Sequence, residues 1–178
     1  MKKNRLNYET LLKITEVISH SKDPEEVALM TVESITTAMG TKGCSLFLIN
    51  PKINELQLET SYGLSDEYIK KDPVSVLRSK AQFLKEGPMV IYDVMDDPRI
   101  KDPNELQKEG IASLISVPIV VGGNLIGAMR VYMSDSWEFT MEEVNFVQSL
   151  AQIAGMAINM ARYATGLKSC IDVLKSYS

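Results

Sequence analysis

Residues able to do chemistry are scarce in this chain. A single histidine, His20, and two cysteines, Cys44 and Cys170, are its whole supply of imidazole and thiol. The cysteines form no CxxC pair and stand beside no histidine cluster. Neither a zinc site nor a disulfide framework is expected, and a reducing cytoplasm is the default location. A Ser-His-Asp arrangement would have to use His20, which the pattern puts on an N-terminal helix. Asp93, Asp96 and Asp97 form an acidic cluster, but beside Pro98 they read as turn-forming aspartates. Gly122-Gly123 is a hairpin turn, and no Walker-type glycine loop occurs. No catalytic set, metal or cofactor is therefore expected. Anion recognition remains open: Arg130 sits in an apolar run with Tyr132 two residues on, and a guanidinium there could hold a carboxylate or phosphate in bidentate fashion.

The elements that would position these residues follow from periodicity. At 178 residues, 45% hydrophobic and 24% charged, the chain fits one globular domain with its own core and excludes wholesale disorder. A net charge of −4 gives no basic field for nucleic acid or an anionic membrane. No apolar run approaches the ~20 residues of a membrane span. Leu6, Tyr8, Leu11, Ile14, Val17 and Ile18 predict a first helix over 6–19. Asp23-Pro24-Glu25-Glu26 predicts a second, with Asp23 capping, Pro24 at the first helical position, Glu26 completing a capping box and Gly40 as the stop.

Residues 44–49 read as a strand covered on both faces, and Leu56, Leu58, Thr60 and Tyr62 as its hairpin partner. Val74, Leu77, Ala81 and Leu84 give weaker helical patterning within 65–87. Met89–Tyr92 reads as a short strand, and Asp102-Pro103-Asn104-Glu105 starts a short helix. Residues 111–121 and 125–133 form a hairpin about Gly122-Gly123-Asn124. Two turn placements fit, and both put Ser113, Ile115 and Val117 on one face with Ala128, Arg130 and Tyr132. Leu114, Val120, Met129, Val131 and Met133 fall on the other face, suited to packing under helices. Thr140 and Glu143 form a capping box, with Phe139 and Val144 as a staple, at the start of a long last helix. Antiparallel strands enclosed by helices at both ends make an α+β sandwich.

With these pieces in order, the chain resembles the GAF domain family over roughly residues 8–162. The resemblance is carried by Asp23–Glu26, Cys44-Ser45-Leu46-Phe47-Leu48-Ile49-Asn50, Gly63-Leu64, Val94–Arg99, Ser116-Val117-Pro118-Ile119, Gly127–Val131 and Phe139-Thr140. It implies a central antiparallel sheet of five or six strands. The terminal helices would cover one face, and a small-molecule pocket would lie on the other, under the 65–110 region. Residues 1–162 would be the domain and 163–178 a C-terminal helix extension. Ser45 matches a strand position that contacts the nucleotide in cyclic-nucleotide-binding relatives. Those carry an Asn-Lys…Phe…Asp-Glu motif; here Leu125 follows Asn124, and Glu143-Val144 stands where Asp-Glu is expected. Reductase relatives use several pocket-loop cysteines, whereas this chain has none between Gly63 and Cys170. Tetrapyrrole-binding members attach or cradle the chromophore through a cysteine or a neighbouring histidine. This chain has no Cys-His pair, Cys44 lies in the first strand, and haem would have to use His20 on the N-terminal helix.

The last helix holds two seams. Val144, Val147, Ala151, Ala154, Ile158 and Ala161 would lie close on the sheet. Phe146, Leu150, Ile153, Ala157, Met160, Ala164, Leu167, Ile171 and Leu174 form a second seam of about four heptads that continues past the end of the family resemblance. That second seam would meet the N-terminal helix, a twin in a homodimer, or both. A helix ending at Gly166 is the opposing expectation. Two readings follow. One is a cytoplasmic sensor that binds a small metabolite, anions included, through Arg130, Tyr132, Ser113 and Ser45 and acts through dimerisation or a downstream signalling partner. The other is a dimerising interaction module with no ligand of its own.

Overall fold

The computed structural model describes residues 8–71 and 87–176, with side chains from residue 11 onward. The elements are helices α1 (Tyr8–His20) and α2 (Pro24–Met39), strands β1 (Gly43–Asn50) and β2 (Glu55–Tyr62), and helix α3 (Asp66–Lys71). Strand β3 (Met89–Ile91), helix α4 (Pro103–Lys108), strands β4 (Ser113–Val121) and β5 (Asn124–Met133), and helix α5 (Met141–Ser176) follow. The patterning at Val74, Leu77, Ala81 and Leu84 lies outside the described residues. The sheet has five strands in the order β2-β1-β5-β4-β3, each pair antiparallel. This is the expected α+β sandwich.

The helix starts follow their capping chemistry. Asp23 accepts from the Glu25 amide at 2.9 Å, and Gly40 closes α2 in the left-handed region at φ 63°. Glu26 does not complete the expected box; its carboxylate takes the hydroxyl of Ser21 instead. At α5 the box is reciprocal: the Glu143 amide donates to Thr140 Oγ1 (3.2 Å), and the Thr140 amide donates to Glu143 Oε2 (2.8 Å).

The late hairpin departs from the expected register. Its turn is Gly122-Gly123, both at positive φ, with Val121 opposite Asn124. Between Ile119 and Val120 the pairing then slips by one, leaving Ile126 as an extra residue on β5. A one-residue slip sends every β4 side chain beyond it to the opposite face. Ser113 therefore lies opposite Met133 and Ser116 opposite Arg130. This corrects the expected faces. Ser113, Ile115 and Val117 belong with Met129 and Val131, whereas Leu114 and Ser116 belong with Arg130 and Tyr132.

Two cores result. On one face, Leu46, Ile115, Val117, Met129 and Val131 pack under α1, α2 and α5 with Ile14, Val32, Ile35, Val147 and Ala154. On the other, Phe47, Leu56, Leu114, Ala128 and Tyr132 pack with Tyr68 of α3 and Leu106 of α4. The small-residue seam of α5 is buried throughout, as its composition required. Beside it, a Cβ on Gly155 would sit 2.1 Å from Cγ2 of Ile119, so helix and strand approach as near as glycine allows. Two side chains stitch α5 to the bulge: Gln148 Nε2 donates to the Pro118 carbonyl (2.7 Å), and the Val120 amide donates to Gln152 Oε1 (2.9 Å).

The helix runs on through Gly166 to Ser176 rather than ending there. Its second seam divides. Leu150 is fully buried, and Phe146, Ile153 and Ala157 pack partly against the domain core. Leu150 is thus part of the fold and unavailable to a partner, which corrects its place in the expected interface. Met160, Leu167, Ile171 and Leu174 are exposed.

Gly155→Ala should destabilise the domain by about 1–3 kcal/mol through overpacking against Ile119, measured by chemical denaturation. Adding Ile119→Ala, which removes the clashing Cγ2, should cost less than the sum of the two single losses; fully additive losses would separate the effect from this contact.

Candidate functional site

The face away from α5 carries a polar row across an otherwise apolar sheet. Ser45 of β1, Arg130 of β5 and Ser116 of β4 are cross-strand neighbours, so their side chains share that face. All three are buried, Arg130 to 1% exposure. The Arg130 guanidinium lies over the Phe47 ring, with Cζ 4.7 Å from the centroid. Its Nε and Nη1 have no hydrogen-bond partner among the described residues, and neither does the hydroxyl of Ser116. Ser45 Oγ and the Tyr132 hydroxyl are 2.8 Å apart and hydrogen-bonded, and the Tyr132 ring meets Tyr68 edge-on at 6.0 Å. A cavity of about 20 Å³ opens between Ser45, Phe47, Leu58, Leu64, Tyr68, Ile69 and Tyr132; Arg130 does not line it, but its strand partner Ser45 and the Phe47 ring beneath it do.

The energetics single Arg130 out. An uncompensated buried charge costs several kcal/mol. A cation–π contact returns about 0.5–2 kcal/mol. Arginine keeps its charge at any physiological pH, so it gains no relief by neutralising. The arrangement is suited to holding an anion.

An ionic strap closes this face. Glu109, with a tenth of its side chain exposed, takes the Ser65 amide (2.7 Å) and hydroxyl (2.6 Å) on its two oxygens, and Lys42 stands 3.6 Å away. Lys71, at the end of α3, bonds Glu105 of α4 (2.6 Å) and Glu67 (2.7 Å). Together these tie the Ser65–Lys71 segment, which carries Tyr68 and Ile69, to α4. Burial acts to raise the Glu109 carboxyl pKa, but the Ser65 hydrogen bonds and the Lys42 charge outweigh it, and the net shift is downward.

The residues singled out from sequence fall as follows. Arg130, Tyr132 and Ser45 meet on one face. Ser113 does not join them: it lies on the helix side and donates to the Asp135 carbonyl at 2.8 Å. Ser116 takes its place, and Phe47 supplies the wall. Phe47 was legible by alternation from Ser45; Ser116 was hidden by the bulge. Cys44 is buried on the helix side, where burial pushes its thiol pKa upward and away from thiolate character. Asp93 accepts from the Met95 amide, and Asp97 is held by Arg99, which lowers its carboxyl pKa. His20 is exposed at the end of α1, its Nδ1 2.6 Å from the Glu16 carbonyl. No group of three or more potential metal ligands occurs among the described residues. A much larger apolar groove of about 1100 Å³ lies on the opposite side, between α1 (Leu12, Thr15, Glu16) and α5 (Met156, Met160, Ala164).

Comparison with known proteins gives a consistent picture. The GAF domain model matches residues 23–158. The GAF domain from a phosphoenolpyruvate-protein phosphotransferase of Coxiella burnetii is 25% identical with a TM-score of 0.73, over 89% of this chain and 95% of that one. Free methionine-R-sulfoxide reductase from Neisseria meningitidis, in complex with its substrate, shares the fold at 21% identity and a TM-score of 0.72, over 92% and 95% of the two chains. Among curated proteins, the methyl sulfide methyltransferase-associated sensor of Methanosarcina acetivorans is 29% identical over 82 residues. That is 45% of this chain and 8% of the relative's length.

Arg130→Met should stabilise the ligand-free protein, by about 1–4 kcal/mol, because it replaces a buried charge that has no ion-pair partner among the described residues with an apolar chain of similar length. Thermal or urea unfolding reads this directly, and a clear loss of stability would mean that the arginine is structurally required.

Glu109→Gln should lose on the order of 1 kcal/mol at neutral pH. A carboxyl whose folded pKa is depressed stabilises the fold above its unfolded value, and that contribution fades as pH falls through the folded value. The difference in Tm between wild type and Glu109→Gln should therefore be full above about pH 5 and close in stronger acid.

Proposed function

Because this chain belongs to the GAF domain family, a family of sensory and signalling domains, we propose that it is a cytoplasmic sensor module. A small anionic metabolite binds on the Arg130 face, and occupancy is read out through α5. The observation that carries this reading is the buried Arg130 guanidinium, whose Nε and Nη1 have no hydrogen-bond partner among the described residues, with hydroxyls on both flanks and a small cavity lined by its neighbours Ser45 and Phe47. An uncompensated buried charge persists where function uses it.

The chain acts by binding rather than by catalysis. Its two cysteines support this: Cys44 is buried on the side away from the cavity, and Cys170 lies on the exposed extension of α5. No helix among the described residues is long and apolar enough to cross a membrane.

The output is self-association through α5. Beyond the domain, Leu167, Ile171 and Leu174 project into solvent. They alternate in three- and four-residue steps, and isoleucine at a with leucine at d is the pattern that favours a parallel two-stranded coil. The groove beside α1 extends the same apolar surface. One observation favours a second reading, a dimerising interaction module with no ligand: the cavity at Arg130 has room for about one water molecule, whereas the helix groove is far larger.

Light scattering at micromolar concentration should give a dimer. Leu167→Glu with Ile171→Glu should make it a monomer that keeps its Tm to within a few degrees, since both side chains are exposed in the single chain. A monomeric wild type would remove the dimer. Native mass spectrometry of freshly purified protein then separates the sensor, which carries a small molecule, from the ligand-free module.

A further inference from the structure

The groups around Arg130 narrow the class of ligand, an inference that rests on the sensory reading above. Among the described residues of the polar row, each group left without a full set of partners can donate. Arg130 offers Nε and Nη1, and Ser116 offers a hydroxyl without a partner among the described residues. Ser45 and Tyr132 share one hydrogen in their mutual bond and keep one to give. The acids of the strap are committed elsewhere: Glu109 to Ser65 and Lys42, and Glu105 to Lys71 and Lys108. A set of donors with no carboxylate beside it among the described residues selects an acceptor-only group.

Charge then limits that group. The row contains one cation, Arg130. Lys42 is turned to Glu109 and the Gly63 carbonyl, and Lys71 is paired with two glutamates. A dianion such as phosphate or a dicarboxylate would leave one charge desolvated and unmatched, at a cost of several kcal/mol. A carboxylate matches both the single charge and the planar guanidinium.

The walls describe the rest of the molecule. Leu58, Leu64, Ile69 and the Phe47 ring present hydrocarbon to the cavity. Its volume of about 20 Å³ leaves little space unless the strapped Ser65–Lys71 segment moves, so the apolar body is short. We propose that this face binds a short-chain monocarboxylate, with the carboxylate on Arg130 and Ser116 and the hydrocarbon end against Leu58, Leu64 and Ile69.

The test is a thermal-shift and NMR titration of the full chain with sodium propionate, butyrate and benzoate. Propionamide, inorganic phosphate and succinate serve as comparisons at matched ionic strength. At least one monocarboxylate should raise Tm saturably and shift resonances around β1, β4 and β5, while the three comparisons do neither. Arg130→Met and Arg130→Lys should each weaken that binding about tenfold or more, and Ser116→Ala should weaken it several-fold. An equal response to propionamide, or a response retained in Arg130→Met, overturns the proposal. A response to phosphate or succinate that Arg130→Met abolishes overturns the monocarboxylate class and leaves the sensor standing. No response to any of the six, with no small molecule retained in native mass spectrometry, removes both.

Discussion

Strand β5 is buried on both faces and lies at the centre of the sheet, and the rest of the domain is arranged around it. Successive side chains of a strand point to opposite faces, so Met129 and Val131 must serve the helix core while Ala128, Arg130 and Tyr132 serve the other. One strand thus supplies a packing surface and a polar site, and neither use can be changed by sliding it one residue. Such a slip would put a guanidinium beneath α5, where the helix already lies at glycine distance from Ile119. The bulge at Ile126 sets the faces of β4 against this fixed strand.

Much of the fold was legible because its signals are local. The caps at Asp23 and Thr140, the Gly122-Gly123 turn and the small-residue seam of α5 are each written within a few neighbouring residues. The faces of β4 were not legible, for a particular reason. Residues 113–121 are apolar on both alternations, so hydrophobicity gives no preference between faces, and only the bulge decides. A bulge of this kind depends on long-range contacts: a Cβ on Gly127 would lie 2.3 Å from the Phe47 carbonyl, and Gln152 on α5 receives the Val120 amide. Ser113 and Ser116 exchanged roles on that single irregularity. Leu150 was misplaced by the same kind of limit, since a heptad pattern marks the apolar positions and says nothing of which part of the seam its own domain covers.

The polar row also shows how an arginine is kept inside an apolar face. Lysine would concentrate its charge at one strongly hydrated point, whereas guanidinium spreads it over a plane that stacks on an aromatic ring. Phe47 supplies that ring from the strand beside β5, and alternation from Ser45 places it on the correct face. The contact tempers the burial of charge and leaves Nε and Nη1 of Arg130 without a hydrogen-bond partner among the described residues. Tyr132 has the opposite treatment: its hydroxyl is bonded to Ser45 and its ring held by Tyr68. One group has its polar atom hydrogen-bonded and the other keeps donors without a partner among the described residues, within two residues of the same strand.

The two faces are coupled by construction. Interiors packed to crystal density transmit strain rather than absorb it. Ser116 on β4 is two residues from Pro118, whose carbonyl is gripped by Gln148, and the bulge that follows is gripped by Gln152. Both glutamines stand on α5, one helical turn apart, where the Gly155 contact with Ile119 leaves no slack. A rearrangement of β4 at the polar row therefore reaches α5 through bonded and close-packed contacts within a few residues. Its consequence for the exposed end at Leu167–Leu174 is set by one condition. A ligand shifts the helix only so far as it binds one arrangement of β4 more tightly than the other. The buried guanidinium makes such a difference attainable, because its free energy changes by several kcal/mol on gaining an anion, whereas the neutral, hydrogen-bonded Ser45–Tyr132 pair has far less to gain.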